Sequence, residues 1–235
     1  MSIEQKVVII SGASGGLGGV VSQTFYEAGA SVVLLGSRLA GVQELAAELG
    51  QERTLPLAAN LVDPAGAEEV VAATLSHFGR VDILLNLAGG FGGGKPVSDS
   101  SDDELNKMLD INLRTTYNLS RAAVKPMPAQ KWGRIINVAS RDALHGRPNY
   151  SAYATSKAAV LRLTESMAAE VQDDYITVNA IVPGTIDTEA NRKNSPEVDF
   201  TKWVKPTEIA ATLLFLASEG AAAINGAAIP LYGRS

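Results

Sequence analysis

The segment SAYATSKAAV places Tyr153 and Lys157 four residues apart at the start of a predicted helix. This spacing puts both side chains on one helix face. A phenol with an ordinary pKa of about 10 is a poor base at neutral pH, and a nearby ammonium lowers that pKa by favouring the phenolate. Such a tyrosine can exchange a proton with a carbonyl or alcohol oxygen. Ser140, at the end of the preceding predicted strand, can orient the same oxygen through its hydroxyl.

A glycine cluster, SGASGGLGG, follows the first predicted strand and opens a helix. Its residues Gly12, Gly16 and Gly18 leave the backbone amides at the helix N-terminus free to attract an anion. The spacing G-x-x-x-G-x-G differs from the usual dinucleotide fingerprint G-x-G-x-x-G, and a simple tight turn is the alternative. Its position in the first strand–helix–strand unit favours a pyrophosphate site.

The end of the second predicted strand bears on cofactor choice. Folds that select NAD place an acidic residue there to bind the ribose hydroxyls, whereas this chain reads LLGSRLAG. Ser37 can donate a hydrogen bond to a phosphate and Arg38 can pair with one. We therefore expect NADP(H) to be preferred, with NAD(H) possible. The alternative is that Arg38 is a solvated residue at a helix start.

Short β-branched runs alternate with longer segments of helical periodicity along the chain. The runs cover residues 6–11, 31–36, 54–59, 82–87, 133–140, 176–183 and 226–232. The helical segments lie near residues 17–29, 39–49, 64–78, 101–128, 151–172 and 206–219. This alternation predicts an α/β fold: a single Rossmann-like, doubly wound domain over 1–235, in which helices cover both faces of a seven-stranded parallel sheet. Residues 185–203 lack clear periodicity, and a substrate lid is predicted at about 187–203.

Composition narrows the function classes. The 235-residue chain is 46% hydrophobic and 19% charged, with a formal net charge of −5 and no basic run, so nucleic acid is not an expected partner. It has no cysteine and two histidines, so we expect no metal site. Neither a signal peptide nor a membrane-length apolar stretch is visible, and we expect a cytoplasmic protein without membrane contact.

Together these segments resemble the classical short-chain dehydrogenase/reductase family over essentially the whole chain. The matching pieces are the first glycine cluster, NLAG at 86–89, INL at 111–113, Ser140, Tyr153 with Lys157, and VPGTIDT at 182–188. The resemblance implies that Tyr153 is the general acid/base and that Lys157 lowers its pKa and binds the nicotinamide ribose. It implies that Ser140 holds the substrate oxygen and that Asn112 anchors a water in a proton relay.

The same resemblance implies a larger set of cofactor contacts. Asn60 and Leu61 fall where the family contacts adenine, although the family's usual aspartate is Asn60 here, and Leu87 replaces the second asparagine of the family's NNAG. The cofactor-binding residues implied are Gly12, Ser14, Gly16, Leu17, Gly18, Ser37, Arg38, Asn60, Leu61, Asn86, Ala88, Gly89, Tyr153, Lys157, Pro183, Gly184, Ile186 and Thr188.

Two stretches are also similar to a narrower group, the dihydropteridine reductases. These are AGGFGGG at 88–94 and the lid at 187–203. By this similarity Phe91 stacks on a flat heterocycle beside Ser140 and Tyr153; the alternative is that Phe91 packs under the lid. That group usually has an acid after strand two and lacks the catalytic Ser and Asn, which this chain has.

Three hypotheses follow. The leading one is an NADP(H)-dependent oxidoreductase that acts on a carbonyl/alcohol pair, similar to the 3-oxoacyl-carrier-protein reductases. The second is reduction of a dihydropterin, and the third is a non-catalytic dinucleotide-binding regulator, which the intact Tyr153–Lys157 pair disfavours. The apolar segment 158–171 and the family's habits predict a homodimer or homotetramer.

Overall fold

Seven parallel strands form one sheet in the computed structural model, which describes residues 3–234. The strands are β1 (Val7–Ser11), β2 (Ser31–Gly36), β3 (Thr54–Ala58), β4 (Ile83–Asn86), β5 (Gly133–Val138), β6 (Ile176–Pro183) and β7 (Ala228–Leu231). Their order is β3-β2-β1-β4-β5-β6-β7, and each neighbouring pair is parallel. All seven predicted β-branched runs are strands, and the predicted fold class is confirmed.

Helices cover both faces of the sheet. They are α1 (Gly16–Glu27), α2 (Leu39–Leu49), α3 (Pro64–Phe78), α4 (Asp102–Met108), α5 (Thr115–Val124), α6 (Met127–Gln130), α7 (Ser151–Val171), α8 (Glu189–Asn194) and α9 (Pro206–Leu216). Because side chains alternate along β1, Val8 and Ile10 pack with α1, α2 and α9, whereas Val7 and Ile9 pack with α3, α5 and α7. This double burial explains why the strands read as unbroken apolar runs.

The strand order reverses between β1 and β4, which are neighbours although β2 and β3 lie between them in sequence. In open α/β sheets, ligands bind at the carboxyl edge at such a switch point. Gly12 follows β1 and Ala88 follows β4, and a Cβ atom on Gly12 would lie 3.0 Å from the Ala88 nitrogen. The two glycine-rich segments therefore meet at the position where the fold places a ligand.

The predicted helix at 101–128 is interrupted. Residues Leu109–Arg114 form a π-helical turn between α4 and α5, and the short α6 follows α5. Such turns are frequent at functional sites. This turn contains the buried Asn112.

The lid is more ordered than its lack of periodicity suggests. It contains α8 and a 3₁₀ turn, Phe200–Lys202. Its two ends are joined by a parallel bridge between Ile186 and Val204, in which the Asp187 amide donates to the Val204 carbonyl at 2.8 Å. The extent of a single domain and the function of the lid stay predictions.

Within residues 3–234, no helix is both long enough and apolar enough to cross a bilayer. The cytoplasmic location stays a prediction.

Candidate active site

A cavity of about 630 Å³ opens at the carboxyl edge of the sheet. Ser140 reaches it from the end of β5, and Tyr153 and Lys157 reach it from the first turns of α7. Gly184 follows β6, and Phe91 lies in the second glycine-rich segment. The cavity therefore brings together the three residues that the sequence predicted to do chemistry.

Ser140 is held by the turn that it begins. Its hydroxyl accepts a hydrogen bond from the Asp142 amide at 3.2 Å, at the start of the 3₁₀ turn Arg141–Ala143. Burial raises the pKa of the Tyr153 phenol, and a hydrogen bond with Ser140 lowers it by a smaller amount. A buried phenol that stays protonated is suited to donate a proton to a substrate oxygen.

Lys157 is 5% exposed, and its Nζ donates a hydrogen bond to the Val138 carbonyl oxygen at 2.8 Å. Burial lowers the pKa of Lys157 from 10.5 to about 8. In the protein alone, burial dominates and the Tyr153 pKa is raised. The expected lowering of this pKa by the Lys157 ammonium stays a prediction. The direction of the Tyr153 pKa shift could not be predicted from the sequence, since desolvation depends on packing.

Asn112 is fully buried and clamps the backbone of Gly90 from both sides. Its Oδ1 accepts from the Gly90 amide at 2.9 Å, and its Nδ2 donates to the Gly90 carbonyl at 3.0 Å. Nδ2 also donates to the Ser156 hydroxyl, which in turn donates to the Tyr153 carbonyl. Asn112 thus connects the second glycine-rich segment to α7, and its role in a proton relay stays a prediction.

The first glycine cluster forms a close turn into α1. A Cβ atom on Gly18 would lie 2.1 Å from the Gly12 carbonyl oxygen, so only glycine fits there. Gly15 precedes α1 and supplies no side-chain cap, which leaves the first-turn amides available to an anion. The turn sits at the carboxyl edge, because a Cβ atom on Gly16 would lie 3.2 Å from the Thr188 side chain.

Ser37 and Arg38 are exposed directly after β2. Within the described residues Arg38 forms no ion pair, which leaves its guanidinium available to a phosphate. Ser14 lies beside the end of β2, with its Oγ 3.6 Å from where a Cβ atom on Gly36 would be. This geometry brings Ser14 into the neighbourhood of the two residues expected to read the cofactor's phosphate.

The adenine-side residues are positioned by a buried amide on α5. Asn118 donates to the Leu61 and Val62 carbonyls at 3.0 and 3.1 Å. Leu61 is buried, whereas Asn60 is exposed and accepts from the Val62 amide. Asn118 was not singled out from the sequence, and no local motif marks it.

Of the remaining predicted cofactor residues, Asn86 belongs to a buried hydrogen-bond network, and others line the cavity. The Asn86 side chain is 2% exposed and donates to Ser120 and Asn137, so it ties β4 to α5 and β5. Any contact of Asn86 with a cofactor would therefore come from its backbone. The predicted cofactor residues that line the cavity are Gly89, Pro183, Gly184 and Ile186. Ala88, Leu17 and Thr188 are partly exposed.

Phe91 is 61% exposed, so the alternative that it packs under the lid is wrong. Its ring stacks on Tyr150 at 5.2 Å between centroids and meets Tyr153 edge-on at 5.0 Å. Arg147 lies over the Tyr150 ring at 3.8 Å and pairs with Asp142 at 2.9 Å. Tyr150, Arg147 and Asp142 all line the cavity, and the sequence analysis missed them because their contacts are tertiary.

The chain belongs to the short-chain dehydrogenase family, whose model matches residues 6–199. It is an NAD(P)-dependent oxidoreductase that acts on CH–OH and C=O groups, so the hypothesis of a non-catalytic regulator is not supported. It is 33% identical over 241 residues to the 3-oxoacyl-(acyl-carrier-protein) reductase FabG of Vibrio cholerae serotype O1, covering 99% of this chain and 98% of that protein. FabG of Pseudomonas aeruginosa is 34% identical over 246 residues with the same shares.

Solved structures give the same picture. Levodione reductase superposes with a TM-score of 0.91 at 30% identity, covering 98% of this chain and 97% of that one. NAD⁺-bound xylitol dehydrogenase superposes with a TM-score of 0.93 at 25% identity, covering 99% and 100%.

The residues present fit a dinucleotide. The free amides at the start of α1 suit a pyrophosphate, and the backbone approach between Gly18 and Gly12 is possible only without a side chain. Lys157 would hold the nicotinamide ribose and Arg38 the adenosine end. Within residues 3–234 no three His, Asp or Glu side chains cluster as metal ligands would.

Proposed function

We propose that the chain is an NADPH-dependent reductase of 3-oxoacyl esters or thioesters. One observation carries the proposal: Ser140, Tyr153 and Lys157 line one cavity at the carboxyl edge of the sheet. The identity of 33% to FabG of Vibrio cholerae over nearly its full length supports the 3-oxoacyl class. The cavity of about 630 Å³ is large enough to hold a small-molecule substrate.

The residues of this chain divide the work at the substrate oxygen. The Ser140 hydroxyl orients the carbonyl oxygen, and the Tyr153 phenol donates a proton to it. Because burial raises the pKa of Tyr153, the phenol stays protonated at neutral pH, which suits reduction. When bound, the reduced nicotinamide supplies hydride chemistry at the carbonyl carbon. Lys157 holds the ribose, and Asn112 fixes the floor at Gly90.

Replacing Tyr153 with Phe tests this assignment. The variant lacks only the hydroxyl, so turnover of a 3-oxo ester with NADPH should fall about a thousandfold or more, as expected when a general acid is lost. NADPH binding, measured by fluorescence, should change less than threefold. Tyr175→Phe is the control, because Tyr175 is an exposed tyrosine outside the cavity. Retained turnover in Tyr153→Phe would refute the assignment.

The preference for NADPH is supported by the exposed Ser37 and Arg38 after β2, where no carboxylate stands. Arg38→Ala should raise the KM for NADPH about tenfold and leave the KM for NADH within twofold, because only NADPH carries the 2′-phosphate. Lys125→Ala, which removes an exposed cation on the surface, is the control. Equal loss with both cofactors would contradict the preference.

Reduction of a dihydropterin is a second candidate, because Phe91 offers an open aromatic face beside Tyr153. A quinonoid dihydropterin assay with NADPH and NADH in parallel tests it. Turnover with neither cofactor excludes this activity.

We also propose that the chain forms a homodimer or homotetramer. The exposed apolar side chains Leu105 on α4 and Tyr117 on α5 support an interface on these helices. Sedimentation at micromolar concentration should give a dimer or larger, and a monomer would refute the proposal.

A further inference from the structure

Phe91 is the most exposed aromatic side chain that lines the active-site cavity. It is 61% exposed, and its ring lies 5.0 Å from the Tyr153 ring. A substrate whose oxygen reaches the Tyr153 phenol therefore lies in the same cavity as the Phe91 ring. An open aromatic face at this distance can stack on a flat group with offset or edge-to-face geometry.

The second glycine-rich segment fixes the position of Phe91. A Cβ atom on Gly93 would lie 2.5 Å from Tyr150 Cδ1, and its φ of +144° disfavours other residues. The Gly94 amide donates to the Asn149 carbonyl at 2.7 Å. These contacts dock the segment on the loop before α7. The Phe91 ring is thereby held on Tyr150, with a centroid distance of 5.2 Å.

An ion pair also contacts the Tyr150 ring. The Arg147 guanidinium lies over the Tyr150 ring at 3.8 Å and pairs with Asp142 at 2.9 Å. We call Phe91, Tyr150, Arg147 and Asp142 the aromatic wall. Because the charge of Arg147 is balanced within the wall, the wall presents aromatic surface and no net charge.

Every charged side chain that lines the cavity, within the part of the chain that the structure describes, has a partner. Arg147 pairs with Asp142, Lys157 donates to Val138, and Arg141 lies over the Tyr232 ring at 5.8 Å. An ionic substituent beside Phe91 would compete with the ion pair between Arg147 and Asp142. The aromatic wall therefore favours a neutral substituent at this position.

We propose that Phe91 determines substrate specificity by stacking on a neutral, flat ring carried by the reacting carbonyl carbon. The substrate class is then a 3-oxo ester or thioester with an aryl or similar planar ring on carbon 3. The inference rests on the proposed function, because it places the ring relative to a carbonyl held by Ser140 and Tyr153. Arg147 acts as a positioning residue through Tyr150.

The test compares ethyl benzoylacetate with ethyl acetoacetate, two neutral 3-oxo esters that differ in a phenyl or methyl group on carbon 3. Wild type should prefer the phenyl ester in kcat/KM, and Phe91→Ala should lower the phenyl-to-methyl ratio at least tenfold, about 1.4 kcal/mol. Phe91→Leu should lower the ratio less, because it keeps apolar area without a flat face. Tyr175→Asn, at an exposed tyrosine with φ +60° that asparagine tolerates, should leave the ratio unchanged.

The positioning role of Arg147 has its own readout. Arg147→Gln should lower the same ratio through the KM for the phenyl ester, and Arg147→Lys should not restore it, since lysine lacks the planar stacking group. A change in kcat alone, equal for both esters, would contradict this role. Melting temperatures of all variants confirm that they are folded.

Binding separates this inference from the proposed function. Calorimetry with NADP⁺ present measures the dissociation constants of both esters without reduction. If wild type turns over neither ester, the proposed function is refuted, and the ratio of dissociation constants decides the inference. A phenyl-to-methyl ratio that Phe91→Ala leaves within twofold, in turnover or in binding, overturns it.

Discussion

Replacing Lys157 with methionine is expected to stabilise the cofactor-free protein at neutral pH while it abolishes turnover. Lys157 is 5% exposed, and burial lowers its pKa from 10.5 to about 8. At neutral pH the lysine is charged in both the folded and the unfolded chain. Desolvation of the ammonium therefore destabilises the folded state. Methionine carries no charge, so Lys157→Met removes this cost.

The magnitude follows from the pKa. A difference of roughly 2.5 units at 1.36 kcal/mol each corresponds to about 3 kcal/mol of destabilisation at neutral pH. Methionine also removes the hydrogen bond from Nζ to the Val138 carbonyl, a loss of about 1 kcal/mol. The net gain in the free energy of unfolding is about 2 kcal/mol, or a rise in Tm of about 4–8 °C for a domain of this size.

The pH dependence distinguishes this cause from better packing. Between about pH 8 and 10.5 the unfolded chain binds more protons at this position than the folded one, so wild type gains stability as the pH rises. Lys157→Met lacks this gain, and the advantage of the variant should shrink by a pH of about 9.5.

Urea unfolding followed by circular dichroism measures both stabilities. Lys125→Met, at an exposed lysine, is the control and should change stability by less than about 0.5 kcal/mol. The reasoning is refuted if Lys157→Met is less stable than wild type at neutral pH, by an amount that stays the same at the higher pH.

Gly18→Ala should destabilise the protein by about 1–3 kcal/mol in urea unfolding, because its Cβ would lie 2.1 Å from a backbone oxygen of the turn; an unchanged midpoint would contradict the close contact. Asn112→Ala should cost about 2–3 kcal/mol, since it leaves the partly buried Gly90 amide and carbonyl unpaired; a loss below about 0.5 kcal/mol would mean that water replaces the amide. Arg147 lowers the pKa of Tyr153, so Arg147→Gln should shift the pH profile of alcohol oxidation to higher pH; a shift to lower pH would reverse the assigned sign.

The sheet could be predicted because its inner strands are buried on both faces, so they appear in the sequence as unbroken apolar runs. Helix α3 was equally readable, with Asp63 capping its start and Gly79 ending it. The π-helical turn Leu109–Arg114 was not predicted, and its buried Asn112 bonds to Gly90, more than twenty residues away. Local propensity carries no information about such a contact.

The active site divides in the same way. Ser140, Tyr153 and Lys157 could be placed together, because a strand end and a helix start have fixed positions at the carboxyl edge. The direction of the Tyr153 pKa could not, since it is set by how much water the packed loops exclude. The stacking of Phe91 on Tyr150 could likewise not be predicted, because the two rings meet only in the folded chain.

The two glycine-rich segments resemble each other in sequence and differ in what the missing side chains permit. In the first, Gly18 lets the start of α1 approach the Gly12 carbonyl, which leaves amides turned toward an anion. In the second, Gly93 lets the backbone approach the Tyr150 ring, and the neighbouring side chain Phe91 is placed over Tyr153. Because the second approach is to a side chain of the loop 141–150, a change in that loop would alter specificity without altering cofactor binding. Substitutions in 141–150 should therefore move the phenyl-to-methyl ratio and leave the dissociation constant of NADPH within about twofold, and a parallel loss of both would show that the segments act as one unit.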